Sequence, residues 1–168
     1  YVPEGIRELT RSSHESAMYF KQAQTRLVKE LRLNPALEER VERLMSIPGV
    51  GEITALTWAL EIDDPHRFSS RKRAASYCGL SSAEDESGGK RTNRPLSKQR
   101  NKHIQTVLVE AAKLAPRWNP QLARIHQKAL DRGAKRNEAT IEVARKLAAY
   151  LLYVDKTGNR FELKENLN

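Results

Sequence analysis

Apolar residues recur at helical spacing along almost the whole chain, and no run alternates between apolar and polar residues with a period of two. Proline and glycine stand between these periodic segments, where one helix ends and the next begins. Because the pattern leaves no segment suited to a half-buried strand, we predict an all-α fold. The predicted helices span residues 3–33, 35–45, 120–132 and 138–154, with others starting at Glu52 and after the caps Ser69 and Ser97.

The first predicted helix carries a single thin apolar stripe, interrupted by two serines. The stripe consists of Ile6, Leu9, Phe20, Leu27 and Leu31. It is too narrow for a globular core and favours a coiled-coil arm that docks on a partner helix, which implies a homo-oligomer. The alternative is a surface helix packed on its own domain. We predict an arm at residues 1–36, a helical domain at 37–161 and a tail at 162–168.

A glycine-rich turn separates the second and third predicted helices, in the sequence Ile47-Pro48-Gly49-Val50-Gly51. Glycine has no Cβ and allows a positive φ, so the backbone N–H groups of Gly49 and Gly51 can approach a DNA phosphate closely. This arrangement predicts a helix-hairpin-helix motif that binds DNA. The alternative is a tight turn between helices, with glycine just after the end of the first.

The charge balance also indicates a polyanionic partner. The chain has 30 Lys and Arg residues against 21 Asp and Glu residues, a formal net charge of +9 and a pI near 9.8. Since 39% of the residues are hydrophobic, the excess belongs to a folded domain with a basic surface and not to a disordered tail. We therefore predict that the protein binds DNA.

Two groups of cations fall in the first turns of predicted helices. They are Arg71, Lys72 and Arg73 in one helix, and Lys98, Arg100 and Lys102 in another. Cations at a helix N-terminus oppose the helix macrodipole, so the first group favours a compensating anion such as a nucleic-acid phosphate. A solvated basic face is the alternative. We predict that both groups contact DNA.

Composition excludes several other classes of protein. The single cysteine, Cys78, excludes an internal disulfide framework and a cysteine-rich zinc site and fits a reducing compartment, so we expect a cytoplasmic protein. No apolar run is long enough to span a membrane, and the acidic residues show no metal-site arrangement. We predict no metal and no cofactor in this chain. The start at Tyr1 instead of Met suggests a piece of a longer protein.

The segment from Ser81 to Leu96 is the longest without a helical pattern, and segments of this length are usually functional or disordered. Within it, Ser87 precedes two glycines. Three acidic residues come before Ser87, whereas Lys90, Arg91 and Arg94 follow it. From composition alone Ser87 fits a linker, although the basic half of the segment offers a place for a phosphate beside the hydroxyl. No general base lies close to Ser87 in the sequence.

Five motifs in a fixed order resemble the C-terminal domain of the DEDD transposases, the bacterial insertion-sequence recombinases of family one-ten, which are related to Piv-type DNA invertases. These are Leu44-x-Ser46-Ile47-Pro48-Gly49-Val50-Gly51-x-x-Thr54-Ala55, Phe68-Ser69, Ala75-x-Tyr77-x-Gly79-Leu80, Ser87-Gly88-Gly89-Lys90 and Ser97-Lys98-x-x-Asn101. The closing pattern Arg145-Lys146-Leu147-Ala148, followed by Tyr153 and Lys156-Thr157-Gly158, is similar as well. The resemblance covers about residues 37–161, and residues 1–36 look like the coiled-coil region that precedes this domain.

The resemblance implies a split active site. An N-terminal RuvC-like domain, which this chain lacks, would carry four acidic residues and a divalent metal such as Mg²⁺, and the C-terminal domain would supply a serine nucleophile that matches Ser87. That serine would form a covalent phosphoserine with DNA, which a 3′-hydroxyl later reverses in an exchanged partner. The resemblance also implies a guide RNA. This chain alone is then expected to bind DNA without recombining it.

Two positions depart from the family pattern: Arg100 stands where the family usually has glycine, and Gln105 stands where it usually has arginine. Two hypotheses therefore remain. The chain is either the nucleophile-bearing domain of a transposase or a non-catalytic helix-hairpin-helix module that binds DNA, which includes a decayed transposase.

Overall fold

The computed structural model describes residues 2–81 and 101–163, and within them every regular element is helical. The seven α-helices are α1 (Glu4–Leu31), α2 (Pro35–Met45), α3 (Glu52–Ile62), α4 (Arg71–Tyr77), α5 (Lys102–Leu114), α6 (Pro120–Asp131) and α7 (Arg136–Thr157). Short 3₁₀ turns at Pro65–Arg67 and Ala115–Arg117 lead into α4 and α6. The prediction of an all-α fold is confirmed.

Three predicted helix starts differ from the structure: α7 begins at Arg136 and not at residue 138, and the caps explain the other two. Ser70 and not Ser69 caps α4, because its hydroxyl accepts a hydrogen bond from the Arg73 N–H at 3.3 Å. The helix predicted after Ser97 begins at Lys102, where the Asn101 side chain accepts hydrogen bonds from the backbone N–H groups of His103 and Ile104. Asparagine and serine are both strong N-caps, so the sequence alone did not decide between neighbouring candidates.

The chain divides into two compact units, residues 1–38 and 39–168. In the first unit, α1 has no buried residue, and most of its large apolar side chains are exposed, whereas Val28 and Leu31 are half-buried. The Asn34 side chain accepts a hydrogen bond from the Ala36 N–H at 3.1 Å and so starts α2. The predicted oligomer through this arm, and the predicted boundaries at residues 36 and 161, stay predictions.

The core of the second unit forms around α7. This helix packs against α4, α5 and α6, while α3 packs against α5. Fully buried side chains on α7 include Val143, Leu147 and Leu151. Within the described ranges, no helix is long and apolar enough to cross a membrane.

A buried ion pair joins α2, α3 and α7 in the second unit. The Asp155 carboxylate, whose side chain is 3% exposed, accepts two hydrogen bonds from Arg40 at 2.8 and 2.7 Å. The indole N–H of Trp58 donates to the same carboxylate at 2.9 Å. Because all three donors converge on one carboxylate, its charge is compensated at the point where the helices meet.

Asp155→Asn is expected to lower the free energy of unfolding by about 2 kcal/mol, because it leaves the partly buried Arg40 charge without its counter-ion. Urea denaturation of both proteins measures the loss. Glu142→Gln is the matched control: it removes the same charge from an exposed pair with Arg132 and should cost less than about 1 kcal/mol. Equal losses in the two variants would contradict the assigned role of the buried pair.

Candidate nucleic-acid interface

The turn between α2 and α3 is a tight β-turn held by the protein behind it. The Val50 N–H donates to the Ile47 carbonyl at 2.9 Å, and Pro48 and Gly49 occupy the two central positions. Gly49 has a φ of +95°, the conformation that a type II turn requires there. Ile47 and Val50 are buried, so the turn is anchored in the core by its two ends.

Gly49 is glycine for a reason internal to the fold. A Cβ built on it would lie 2.6 Å from both Cα and Cβ of Ala115, which follows α5 directly. The buried Asn119 side chain also donates to the Pro48 carbonyl at 3.5 Å. The close packing at Gly49 is therefore against Ala115 of the protein itself, and the predicted approach of a DNA phosphate stays a prediction.

Gly51 differs from Gly49 in conformation. It caps α3 with φ −92° and ψ 173°, extended angles that any residue adopts, and a Cβ added there would meet nothing within 4 Å. The predicted contact between Gly51 and DNA stays a prediction. Gly51 is exposed, however, and it brings no side chain to the N–H groups in the first turn of α3.

The basic first turn of α4 is on the surface. Arg71, Lys72 and Arg73 are all exposed, and no acidic residue occurs between Pro65 and Tyr77. Lys102, the first residue of α5, is exposed as well. The remaining predicted site residues are Ser87, Lys90, Arg91, Lys98 and Arg100, and they lie outside the described residues.

The two ends of the segment that carries Ser87 are fixed on the same residue, Glu61 at the end of α3. On the incoming side, the Tyr77 hydroxyl donates to the Glu61 carbonyl at 3.1 Å. On the outgoing side, the Asn101 amide donates to the Glu61 carboxylate. Residues 82–100 therefore connect two points that the fold holds side by side, whatever their own conformation.

Further hydrogen bonds hold the incoming end. The Gln105 amide donates to the Gly79 carbonyl at 2.5 Å, and Arg145 of α7 donates to the Leu80 carbonyl at 2.5 Å. Gln105 is buried and Leu80 is fully enclosed. We call this group the loop frame; its members are Glu61, Tyr77, Gly79, Leu80, Asn101, Gln105 and Arg145. A rigid frame of this kind is the usual setting for a functional loop.

One histidine belongs to the edge of the loop frame. The His103 Nδ1 lies 3.2 Å from a carboxylate oxygen of Glu61, and the His103 side chain is 68% exposed. His103 is 42 residues from Glu61 in the sequence, and its position near a predicted helix start did not indicate this contact. The fold brings this carboxylate and imidazole together at the frame.

The one cysteine takes no part in this surface. Cys78 is buried beside the frame, and burial raises the pKa of its thiol from 9.0 to about 12. The nearby positive charge of Arg67 opposes this shift only in part. At neutral pH Cys78 is therefore a protonated packing residue and not a nucleophile.

The turn and the loop frame lie at opposite ends of two antiparallel helices. Gly51 precedes α3 and Glu61 lies in its last turn, while Asn101 caps the start of α5 and Ala115 follows its end. At 1.5 Å of rise per residue, the two locations are about 15–20 Å apart. This distance is too long for both locations to contact the same phosphate.

The metal expected for the family's chemistry finds no ligands in the described part of this chain. No group of three or more His, Cys, Asp or Glu side chains within residues 2–81 and 101–163 is arranged to hold a metal ion.

Comparison with known proteins decides the family. The family model described as "Transposase IS116/IS110/IS902 family" matches residues 41–127, just over half of the chain. The chain belongs to this transposase family. The match corresponds to the C-terminal domain of these transposases and includes the turn, the basic turn of α4 and the loop frame up to Gln105.

Two curated relatives agree with the family match. The chain is 29% identical over 171 residues to the transposase for insertion sequence element IS1328 of Yersinia enterocolitica. The aligned region covers 95% of this chain and 48% of the relative. It is 32% identical over 85 residues to the transposase for IS1111A of Coxiella burnetii, covering 51% of this chain and 23% of the relative. The chain thus spans about half the length, or less, of these transposases.

The transposase domain uses several residues that the sequence did not single out. Glu61 looked like one acid among many at the end of a helix, and its partners Asn101 and His103 are 40 or more residues away. Gln105, noted only as a departure from the family's arginine, turns inward and holds the loop frame. The one sequence signal for this role is that Gln105, a polar residue, occupies a core-facing position of α5, where a buried polar group needs a hydrogen-bond partner.

Proposed function

We propose that this chain is the DNA-binding and nucleophile-bearing domain of an insertion-sequence transposase, in which Ser87 forms a covalent link to DNA during strand exchange. The observation that carries the proposal is the family match across residues 41–127, which includes Ser87. The loop frame supports it, since hydrogen bonds to Glu61 hold both ends of the serine segment together.

In the proposed step, the Ser87 hydroxyl oxygen attacks a phosphorus atom of the DNA backbone. A bond forms between Ser87 Oγ and phosphorus, and the bond from phosphorus to the 3′-oxygen breaks. The serine gives up its proton, and the departing 3′-oxygen takes one up as a hydroxyl. A 3′-hydroxyl of the exchanged strand later reverses the step, so the phosphoester energy is conserved and no nucleotide is consumed.

Among the described residues, two regions are proposed to contact DNA: the start of α3, and the exposed cations at the starts of α4 and α5. The start of α3 at Gly51, which is exposed and carries no side chain, offers a backbone contact for one phosphate, as in a helix-hairpin-helix motif. Lys102 and the exposed arginines of α4 provide positive charge in the same unit. We expect Lys90, Arg91, Lys98 and Arg100 to add to this charge around the serine.

Three further components belong to the proposed whole protein. A RuvC-like domain with a divalent metal would supply the activation of the serine, and a guide RNA would select the DNA. The apolar side chains exposed on α1, among them Leu9, Phe20 and Leu27, support a homo-oligomer formed through this arm.

Binding of the 168-residue chain to a short DNA duplex tests the proposed DNA contacts. Fluorescence anisotropy between about 50 and 200 mM salt should give a plot of log K against log salt with a slope steeper than about −2, since each neutralised phosphate contributes about −0.9. A slope near zero would contradict the proposed phosphate contacts. Normal binding combined with no covalent adduct in the full-length protein would favour a non-catalytic binding module.

A further inference from the structure

Arg67 is an exposed cation whose side chain contacts two aromatic rings and a backbone carbonyl, and neither the charge pattern nor the family match assigns it a role. It closes the 3₁₀ turn Pro65–Arg67 between α3 and α4. Its guanidinium carbon lies 4.4 Å from the ring centre of Phe68 and 4.4 Å from that of Tyr77. Two aromatic rings therefore hold one guanidinium group.

The supporting rings are themselves fixed. Phe68 is buried, and its carbonyl accepts a hydrogen bond from Lys156 at 2.7 Å. Tyr77 contacts Phe68 with 5.5 Å between ring centres, and its hydroxyl is bonded to the Glu61 carbonyl of the loop frame. The platform under Arg67 is thus continuous with the frame that holds the serine segment.

The hydrogen bonding of Arg67 leaves its outer edge available. The Nε–H donates to the Ile62 carbonyl at 3.2 Å, which uses the inner donor of the guanidinium. Within residues 2–81 and 101–163, no carboxylate forms an ion pair with Arg67, although Asp63 and Asp64 are close in sequence. Its two terminal amino groups lie on an exposed residue.

A guanidinium held in this way is suited to a phosphate. The planar fork of arginine matches two oxygens of a phosphodiester, and stacking on aromatic rings fixes the fork before a ligand arrives. An arginine that is already ordered loses little side-chain entropy on binding. The neighbouring chain from Pro65 to Tyr77 contains three more cations and no acid, so nothing in this segment competes for the charge.

We propose that Arg67 binds a backbone phosphate of the nucleic acid, with the Phe68 and Tyr77 rings as its platform. This inference rests on the proposed function, since it names a further contact in the same DNA-binding unit. The contact is to the backbone, so it adds affinity that does not depend on base sequence.

Anisotropy with two duplexes of unrelated sequence tests this assignment. Arg67→Gln should weaken binding about tenfold to both duplexes and reduce the salt slope by about one phosphate. Arg160→Gln, at an exposed arginine of the same unit, is the matched control and should leave the slope unchanged. A wild-type slope and affinity for Arg67→Gln, while the wild-type protein binds with strong salt dependence, would overturn the inference and leave the proposed function standing.

A second variant separates binding from folding. Arg67→Lys keeps the charge but loses the planar fork, so we expect a nearly unchanged salt slope with affinity reduced several-fold. If thermal unfolding shows that Arg67→Gln does not fold, Arg67→Lys decides the question. Wild-type affinity in a folded Arg67→Lys protein would overturn the proposed fork contact. If the wild-type protein itself shows no salt-dependent binding, the proposed function is contradicted instead.

Discussion

Ser87→Ala is expected to abolish strand exchange by the full-length protein with its RNA, by on the order of 10⁴-fold or more, because the variant lacks the attacking oxygen. The covalent protein–DNA adduct should disappear with it. DNA binding should stay within a few-fold of the wild-type value, since the phosphate contacts proposed for the chain do not involve the hydroxyl. Gel assays of exchanged product and of adduct under denaturing conditions measure both effects.

Ser81→Ala is the matched control for this experiment. Ser81 is the last described residue before residues 82–100, and its substitution by alanine removes the same hydroxyl oxygen as the substitution at Ser87. We expect this variant to exchange strands at a rate close to that of the wild-type protein. An intact adduct in Ser87→Ala, or an equal loss in Ser81→Ala, would contradict the assignment of Ser87 as nucleophile.

Gly49→Ser is expected to lower the free energy of unfolding by about 3–5 kcal/mol. A side chain there must adopt a positive φ, which costs about 1–3 kcal/mol, and its Cβ would lie 2.6 Å from Ala115. Relief of such an overpacked contact costs about as much again. Since domains of this kind are marginally stable, the loss is a large part of the total, and chemical denaturation will show it.

Gly51→Ser, two residues later, provides the contrast. Its extended backbone and open surroundings accept a Cβ, and serine is a good N-cap, so stability should stay the same or rise by a few tenths of a kcal/mol. The new hydroxyl would also occupy the N–H groups proposed to contact DNA, so affinity should fall several-fold while stability does not. Equal destabilisation at both glycines would contradict the described turn, and unchanged affinity in Gly51→Ser would contradict the proposed contact.

The helical class and most helix bounds could be predicted because the signals are local. Proline and glycine end helices by their own backbone chemistry, and apolar spacing marks the buried face of each one. The start of α2 at Pro35 and the start of α3 at Glu52 follow directly from these rules. The cap positions were less certain, since Ser70 and Asn101 compete with neighbouring residues that have equal propensity.

The loop frame could not be predicted, because its bonds join distant parts of the chain. Gln105 and Gly79 are 26 residues apart, and Arg145 is 65 residues from Leu80. No local pattern specifies which buried polar side chain will find which carbonyl. The same holds for the two glycines of the turn. The sequence motif predicted a DNA contact for both Gly49 and Gly51, but only Gly49 packs against Ala115, which is 66 residues away in the sequence.

Arg67 also lay outside the sequence prediction, although its neighbours Arg71, Lys72 and Arg73 were within it. The charge pattern of the sequence indicates binding sites where several cations occur together, and Arg67 is four residues before the Arg71–Arg73 cluster. What distinguishes it is its orientation by Phe68 and Tyr77, which depends on how α4 folds back toward the end of α3.

Mass spectrometry of the trapped covalent complex is the most direct test of the central claim. Strand exchange with the full-length protein, its RNA and its DNA is stopped by denaturation, and the adduct is digested with nuclease and protease. We expect a nucleotide attached through a phosphoester to the peptide that contains Ser87. A nucleotide on any other residue, or an exchange reaction that proceeds with no covalent protein–DNA species, would contradict the proposed function.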